Sequence, residues 1–261
     1  LKLKGVEISK EEEKSAMLAI LLHDVGHGPF SHALENMLMD DWHHEKLSLL
    51  LMNKMNEEFG GELSMAMEMF QGKYHRKFFN QLISSQLDVD RLDYLKRDSF
   101  YTGVSEGNVN TQRIISMMNV SDEELVIDAK GIYSIENFLT ARMFMYWQVY
   151  YHKTSALAEH LLVKILDRAK FLISEGKDLP ASENLKYFLT RNHFETASNE
   201  DIQRFTELDD NDVIQAMKFW SKNEDLVLSY LCKSVIQRHF LKTKISSKPF
   251  DLEFINEKIE K

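Results

Sequence analysis

The chain has 261 residues, of which 44% are hydrophobic and 28% are charged, and it contains only ten glycines and three prolines. This composition excludes a disordered or fibrous protein and gives enough chain for one large domain or two modest ones. The net charge of −9 argues against a protein whose main task is to grip nucleic-acid backbone, because such proteins carry a basic face.

Helix-forming residues dominate from the N-terminus onward. Ser9 and Glu12 have the spacing of a capping box, which predicts a helix from there to Leu22, just before a turn that contains Gly26 and Gly28. The pattern of apolar residues predicts further helices over 31–39, 43–58, 62–70, 75–84 and 89–96, and a loop over 103–110.

The middle of the chain contains the one predicted β element. Glu124–Asp128 is predicted to pair with Ile132–Ser134 through a short turn at Ala129–Gly131. Long helices are predicted from Ile135 to about Tyr151 and from Thr154 to about Ser174, the second with a stripe of core leucines. Residues 176–180 form a helix stop, and shorter helices are predicted to start near Asp201, Asp212 and Asp251. The fold class is therefore predicted to be all-α with a small β-hairpin.

Five of the ten histidines lie within 22 residues, around the glycine-rich turn: they are His23, His27, His32, His43 and His44. Imidazole nitrogens and carboxylate oxygens, such as that of Asp24, are ligands for Zn, Mn, Fe, Ni or Co. A single histidine in a helix is more often a structural residue than a ligand, but five around one turn favour a metal or acid–base site. The pattern does not name a reaction.

Two further segments carry chemical groups. The first runs from Asp88 to Asp98, where Asp90, Arg91, Tyr94 and Asp98 fall near one helical face; by itself it is typical of a solvated helix with ion pairs. The second is the aromatic stretch 142–153, which is more typical of core packing. Arg142 and Tyr150, two turns apart within it, are candidates to face a phosphate and a sugar or base.

Together the three segments resemble the HD-domain metal phosphohydrolases, and most closely the deoxynucleoside triphosphate (dNTP) triphosphohydrolase branch. The resemblance rests on Leu-His-Asp-Val-Gly-His-Gly-Pro-Phe-Ser-His at 22–32, on Asp-Val-Asp-Arg-Leu-Asp-Tyr-Leu-Lys-Arg-Asp at 88–98 and, more weakly, on Tyr-Tyr-His-Lys at 150–153. It spans roughly residues 16–164. It implies an HD-domain helical bundle over residues 1–175 and a helical C-terminal extension over 176–261, packed on the HD domain or at an oligomer interface.

The resemblance also implies roles for individual residues. It makes His23, Asp24 and Asp90 metal ligands, and it assigns acid–base work to His27 with Glu35 and His44. Glu35 stands where a member of the resembled branch carries Asp, and Tyr151 stands where it carries Gln. The substrate-binding positions that it implies are His32, Arg91, Tyr94, Asp98, Arg142 and Tyr150. A first metal-binding histidine, which the family carries before the His-Asp pair, is expected upstream of Leu1.

The implied activity is metal-dependent hydrolysis of dNTPs to deoxynucleoside and triphosphate, with Mn, Fe, Zn, Ni, Co or Mg as the metal. Alternatives are another HD phosphohydrolase reaction on a different nucleotide or phosphoester, and a catalytically silent nucleotide-binding regulator. The resemblance implies a homo-oligomer. The single cysteine, Cys232, is typical of a cytoplasmic protein, and no apolar run approaches the roughly 20 residues of a membrane helix. We therefore expect neither a membrane nor nucleic acid as the main partner.

Overall fold

The structure, a computed structural model, describes residues 1–39, 42–191 and 197–259. The helices in chain order are α1 (Lys10–Leu22), α2 (Glu35–Leu38), α3 (His44–Glu58), α4 (Ser64–Phe70), α5 (Lys77–Ile83), α6 (Val89–Thr102), α7 (Thr111–Met117), α8 (Ile132–Met145), α9 (Lys153–Ser174), α10 (Glu183–Thr190), α11 (Asn199–Thr206), α12 (Asp210–Trp220), α13 (Leu226–Ile236) and α14 (Leu252–Ile259). A π-helical turn, Tyr146–Tyr150, continues α8. None of the helices in the described ranges is long and apolar enough to cross a membrane.

The all-α class with one hairpin is confirmed, but the predicted strand pairing is wrong. β2 (Glu124–Ile127) pairs antiparallel with β1 (Met118–Ser121), the segment before it, with Met118 opposite Ile127. The connecting residues Asp122 and Glu123 both have positive φ, 52° and 61°, as a two-residue hairpin turn requires. Such turns usually contain glycine or asparagine, so this one gives little signal in the sequence.

Residues 129–134 begin a helix instead of forming a second strand. Ala129–Gly131 forms a 3-10 turn that leads directly into α8. Gly131 is tucked under the hairpin, where a Cβ atom would lie 2.8 Å from the Ile127 side chain and 2.9 Å from that of Met117. The glycine therefore serves close packing rather than a strand turn.

Several predicted helix bounds also change. The segment 31–39 contains a 3-10 turn at Ser31–Leu34 and then the short α2, and α6 continues past residue 96 to Thr102. Within the predicted loop over 103–110 there is a 3-10 turn at Ser105–Gly107. The helices α7, α10 and α13 were not predicted, although the capping box at Ser9 and the α9 stripe appear as expected.

Three hydrophobic cores hold these elements together. One joins α1, α4 and α5 around Phe78 and Phe79, and a second joins α6, α7 and α8 around Phe138. The third surrounds Trp220 and combines buried residues within 34–39, 42–47 and 162–172 with buried residues within 179–189 and 205–232. The C-terminal helices thus pack on the segment that follows the glycine-rich turn. The division of the chain at residue 175 stays a prediction.

The start of α1 is anchored by a buried carboxylate. Glu12 accepts hydrogen bonds from the Ser9 backbone N–H (2.8 Å), the Tyr74 hydroxyl (3.0 Å) and Arg76 (2.9 Å). Burial raises the pKa of Glu12, but these hydrogen bonds outweigh it and lower the pKa to about 2. This anchor matters for the site because the other end of α1 leads directly to His23 and Asp24.

We expect Glu12→Gln to destabilise the protein most at neutral pH. Because the folded-state pKa lies below the unfolded value of 4.5, the carboxylate stabilises the fold above pH 4.5 and loses its contribution as pH falls toward 2. The shift corresponds to about 3 kcal/mol at pH 7, of which roughly 1 kcal/mol is lost by pH 3.5. Urea unfolding of wild type and variant at both pH values measures the difference. Glu13→Gln, an exposed neighbour, is the control, and a difference that grows on acidification would contradict the assignment.

Candidate active site

A cavity of about 910 Å³ lies between the end of α1, the start of α3, α6, the π-helical turn and α9. Its walls bring together most of the predicted site residues: His23, Asp24, His27, His32, His44, Asp90, Arg91, Tyr94, Asp98 and Tyr150. Glu35 and Arg142 lie outside the lining. Glu35 stands behind His44, and Arg142 donates to Gln86 (2.9 Å) with its guanidinium over the Tyr146 ring.

The sequence places His23 and Asp24 where α1 ends. His23 is the C-cap of α1, and its Nδ1 lies 2.7 Å from the Ile20 carbonyl oxygen, which accepts a hydrogen bond from it. The other ring nitrogen, Nε2, faces the Asp24 carboxylate at 3.3 Å. A histidine that donates from one ring nitrogen to a backbone carbonyl has its second nitrogen free and oriented as a metal ligand.

Asp90 faces this pair from the first turn of α6. Asp88, the N-cap of α6, accepts from the Arg91 backbone N–H at 2.7 Å and so sets where the helix begins. Burial raises the pKa of Asp90, the imidazole of His23 lowers it, and the nearby carboxylate of Asp24 raises it further. Two carboxylates that disfavour each other's charge, beside an imidazole nitrogen, form a donor set that a cation stabilises.

Gly26 brings the turn after α1 against the backbone of α3. Its N–H donates to Ser48 Oγ at 2.9 Å. A Cβ atom at this position would lie 2.3 Å from both the His44 carbonyl oxygen and the Ser48 nitrogen, so only glycine fits. This contact places the ring of His27 against that of His44, the first residue of α3.

Three histidine rings pack together at one end of the cavity. His27 stacks on His44 with ring centroids 4.1 Å apart, and His32 packs edge-on against both, at 4.6 and 5.0 Å. Burial lowers the pKa of His27, and the neighbouring His44 lowers it further, against the opposing effect of Asp24. His27 is therefore neutral at pH 7, and one of its nitrogens can accept a proton.

Glu35 holds this histidine group from behind. Its Oε1 accepts from both the backbone N–H (2.6 Å) and Nδ1 (2.5 Å) of His44, and its Oε2 lies 3.6 Å from His32 Nδ1. Burial raises the pKa of Glu35, but the hydrogen bonds from His44 outweigh it and lower the pKa to about 2. The longer glutamate side chain thus reaches His44. Its part in a proton relay stays a prediction.

Tyrosines of α6 and the π-helical turn line another part of the same cavity. The Tyr150 hydroxyl donates to Asp98 at 2.6 Å, and burial together with this carboxylate raises the pKa of Tyr150. Tyr94 and Tyr146 pack edge-on against Tyr150, with centroids 6.0 and 5.1 Å away. Arg91, whose guanidinium pairs with Asp88, lies on the same wall.

Some cavity residues were not assigned from the sequence, among them Glu45, Tyr146, Ser155, Glu159 and His160. The spacing of those on α9 is visible in the sequence. Ser155 and Glu159 lie four residues apart, so they share one face at the start of α9. The leucines on the other face of the same helix pack in the core around Trp220, so α9 presents a polar face to the cavity and an apolar face to the core.

Comparison with known proteins decides the family. A family model described as HD domain matches residues 2–98, and one described as HD associated region matches residues 109–187. A crystal structure of a phosphohydrolase from Bacteroides thetaiotaomicron is 50% identical, superposes with a TM-score of 0.95, and covers 98% of this chain with 65% of its own. The chain belongs to the HD-domain phosphohydrolase family.

Curated relatives of this HD-domain chain are more distant. The uncharacterized protein YwfO of Bacillus subtilis is 34% identical over 89% of this chain and 53% of its own length. The deoxynucleoside triphosphate triphosphohydrolase SAMHD1 homolog of Dictyostelium discoideum is 30% identical over 76% of this chain and 42% of its own. The HD-domain chain therefore spans about half the length of these two relatives.

HD domains are metal-dependent, and the residues present fit a divalent ion. His23, Asp24 and Asp90 offer one nitrogen and two carboxylate groups, with His23 already oriented by the Ile20 carbonyl. Among the described residues, the group whose potential ligand atoms lie within 4.8 Å of one another is His27, His32 and His44 rather than the His23/Asp24/Asp90 set, and His27 Nδ1 is buried with no hydrogen-bond partner. The mixed nitrogen and oxygen set suits Mn, Fe, Co, Ni or Zn, and the nitrogens of the three histidines can either bind a metal ion or donate hydrogen bonds to phosphate oxygens.

Proposed function

We propose that this chain is a metal-dependent phosphohydrolase that converts dNTPs to deoxynucleoside and triphosphate. The observation that carries the proposal is one cavity that joins the His23/Asp24/Asp90 donor set, the stacked histidines and a wall of tyrosines with Arg91. A nucleotide needs all three environments, for the reacting α-phosphate, for the rest of the triphosphate and for the sugar with its base. The triphosphohydrolase name of the Dictyostelium relative supports the substrate class.

Proton transfer is the task that the histidines can perform. In the reaction a water oxygen bonds to the α-phosphorus, the bond from that phosphorus to the 5′ oxygen breaks, and the leaving oxygen takes up a proton. His27 is neutral and stacks on His44, which Glu35 holds in place, so it can take a proton from the water and then pass that proton to the leaving oxygen. The bound metal ion would polarise a phosphate oxygen and acidify a bound water.

The charge of the cavity constrains how a triphosphate can bind. Among the described lining residues Arg91 is the one arginine or lysine, whereas six carboxylates line the same walls: Asp24, Glu45, Asp88, Asp90, Asp98 and Glu159. The local basic pocket expected for a triphosphate is therefore not supplied by arginine and lysine side chains. Metal cations must offset the charge of the substrate, so we propose that the nucleotide enters as its divalent-metal complex.

The tyrosine end is suited to the sugar. Tyr150 and Asp98 are fixed to each other by their 2.6 Å hydrogen bond, and Tyr94 packs on the same ring. A sugar bound against this ring would have little room for a 2′-hydroxyl, so we propose that the site favours deoxyribose over ribose. This arrangement supports a deoxynucleotide substrate.

Product analysis tests the proposal. The purified full-length protein, supplied with Mn²⁺, is incubated with each of the four dNTPs, and the products are separated by ion-exchange chromatography. We expect deoxynucleoside and inorganic triphosphate in equal amounts, abolished by a chelator. Release of orthophosphate or of a nucleoside monophosphate would instead indicate a different phosphohydrolase reaction. No turnover of any dNTP by metal-loaded protein would contradict the proposal and favour a nucleotide-binding regulator.

A further inference from the structure

The turn that separates His27 from His32 has an unfavourable backbone conformation. Phe30 and Ser31 both have left-handed φ values, 55° and 46°. Residues with side chains rarely adopt this region, and two in succession persist only where the surroundings enforce them. The Ser31 N–H donates to the Gly28 carbonyl oxygen at 3.0 Å, but this is a local bond that the turn makes with itself.

Two residues from the C-terminal helices enforce the turn from outside. The Phe30 backbone N–H donates to Asp210 Oδ1 at 2.7 Å, across 180 positions of sequence. The Phe205 ring packs so closely on Gly28 that a Cβ atom there would lie 2.9 Å from the ring. Phe205 is itself buried in the core around Trp220, so this contact with the turn is made from a well-packed part of the fold.

Asp210 is not needed to start its own helix. Asp209 is the N-cap of α12, where its side chain accepts from the Asn211 N–H at 2.7 Å. Asp212 completes the capping box by accepting from the Asp209 N–H at 2.9 Å. The carboxylate of Asp210 therefore has the Phe30 N–H as its structural partner in this region, which separates its role from that of its two acidic neighbours.

We propose that Asp210 is a positioning residue for the phosphohydrolase site. By fixing the Phe30 N–H it holds the left-handed turn, and the turn fixes the spacing between His27 and His32, which face the substrate. Small displacements of reacting groups lower the reaction rate, by up to about 100-fold for 1 Å. The C-terminal helices thus complete the active site without entering it. The kinetic part of this proposal rests on the proposed function.

The test compares three variants of the full chain. Asp210→Ala removes the acceptor, Asp210→Asn keeps an amide oxygen at the same place, and Asp212→Ala weakens the capping of α12 without touching the turn. Hydrogen–deuterium exchange of the backbone over residues 25–34 reports on the turn independently of activity. Steady-state kinetics with a dNTP and Mn²⁺ give kcat and KM.

We expect faster exchange over 25–34 and a kcat lowered about 10- to 100-fold in Asp210→Ala, with a smaller change in KM. Asp210→Asn should restore both to within about threefold, and Asp212→Ala should leave both as in wild type while lowering the melting temperature. Unchanged exchange in Asp210→Ala, or equal kinetic losses in Asp212→Ala, would overturn the proposal. If wild type itself hydrolyses no nucleotide, the proposed function fails, and the exchange data still decide whether Asp210 positions the turn.

Discussion

Asp90→Asn is expected to abolish metal-dependent hydrolysis while leaving the metal-free protein at least as stable as wild type. The loss follows because the amide is a poorer ligand beside His23 and Asp24, and a bound cation contributes several kcal/mol to such a reaction, or about 1,000-fold or more in rate. The stability follows because burial and the carboxylate of Asp24 raise the pKa of Asp90, so its charge is unfavourable in the metal-free fold.

Metal titration followed by thermal unfolding measures both effects. Wild type should bind Mn²⁺ and gain melting temperature with increasing metal, whereas Asp90→Asn should show no such gain. The matched control is Asp93→Asn, on the same helix but exposed and paired with Arg97 at 2.8 Å; it should behave as wild type. A variant at position 90 that keeps the metal-dependent gain and full activity would show that the ion is held elsewhere, for instance by the three stacked histidines.

Gly26→Ala is expected to cost both stability and activity. The new Cβ atom would lie 2.3 Å from two backbone atoms of α3, the His44 oxygen and the Ser48 nitrogen, and backbone cannot yield as the end of a side chain can. The turn must move away from α3, which carries His27 off His44. We expect a loss of about 1–3 kcal/mol or more in the free energy of unfolding and at least about 100-fold in kcat.

Ser48→Ala measures the contribution of the Gly26–Ser48 hydrogen bond separately from the steric effect of a Cβ atom at position 26. It removes the 2.9 Å bond to the Gly26 N–H but adds no atom at the contact, so its cost should be about 1–3 kcal/mol with a smaller loss in kcat. Urea unfolding and steady-state kinetics compare the two variants. If Gly26→Ala matched Ser48→Ala in both measurements, the steric argument for glycine at position 26 would be wrong.

The parts of the site that were predictable from the sequence are those held by local structure. His23, Asp24, His27 and His32 lie on one turn, and its glycines mark the end of a helix whose start is marked by the capping box at Ser9. The second segment is one helix, so periodicity alone places Asp90, Tyr94 and Asp98 near one face. The prediction that residues of separate helices face each other rests on the family resemblance alone. In the structure most of these residues line one cavity.

What could not be predicted depends on contacts distant in sequence. β2 has two possible partners of similar pattern, and its choice of β1 depends on an Asp122-Glu123 turn without glycine. The amphipathic α10 and the apolar α13 are stabilised by packing on α9 in the core around Trp220, although the N-caps Ser182 and Asp225 mark where they begin. The contact of Asp210 with Phe30 spans 180 positions and leaves no local pattern at all. Homo-oligomerisation stays a prediction of the resemblance.

Hydrolysis of a dNTP in ¹⁸O-labelled water tests the central claim most directly. If the cavity directs water to the α-phosphorus, the label enters the released triphosphate and the deoxynucleoside carries none. Mass spectrometry of both products, with Asp90→Asn as the inactive control, measures this. Label in inorganic orthophosphate, label in the deoxynucleoside, or the same products from the Asp90→Asn variant would contradict the account.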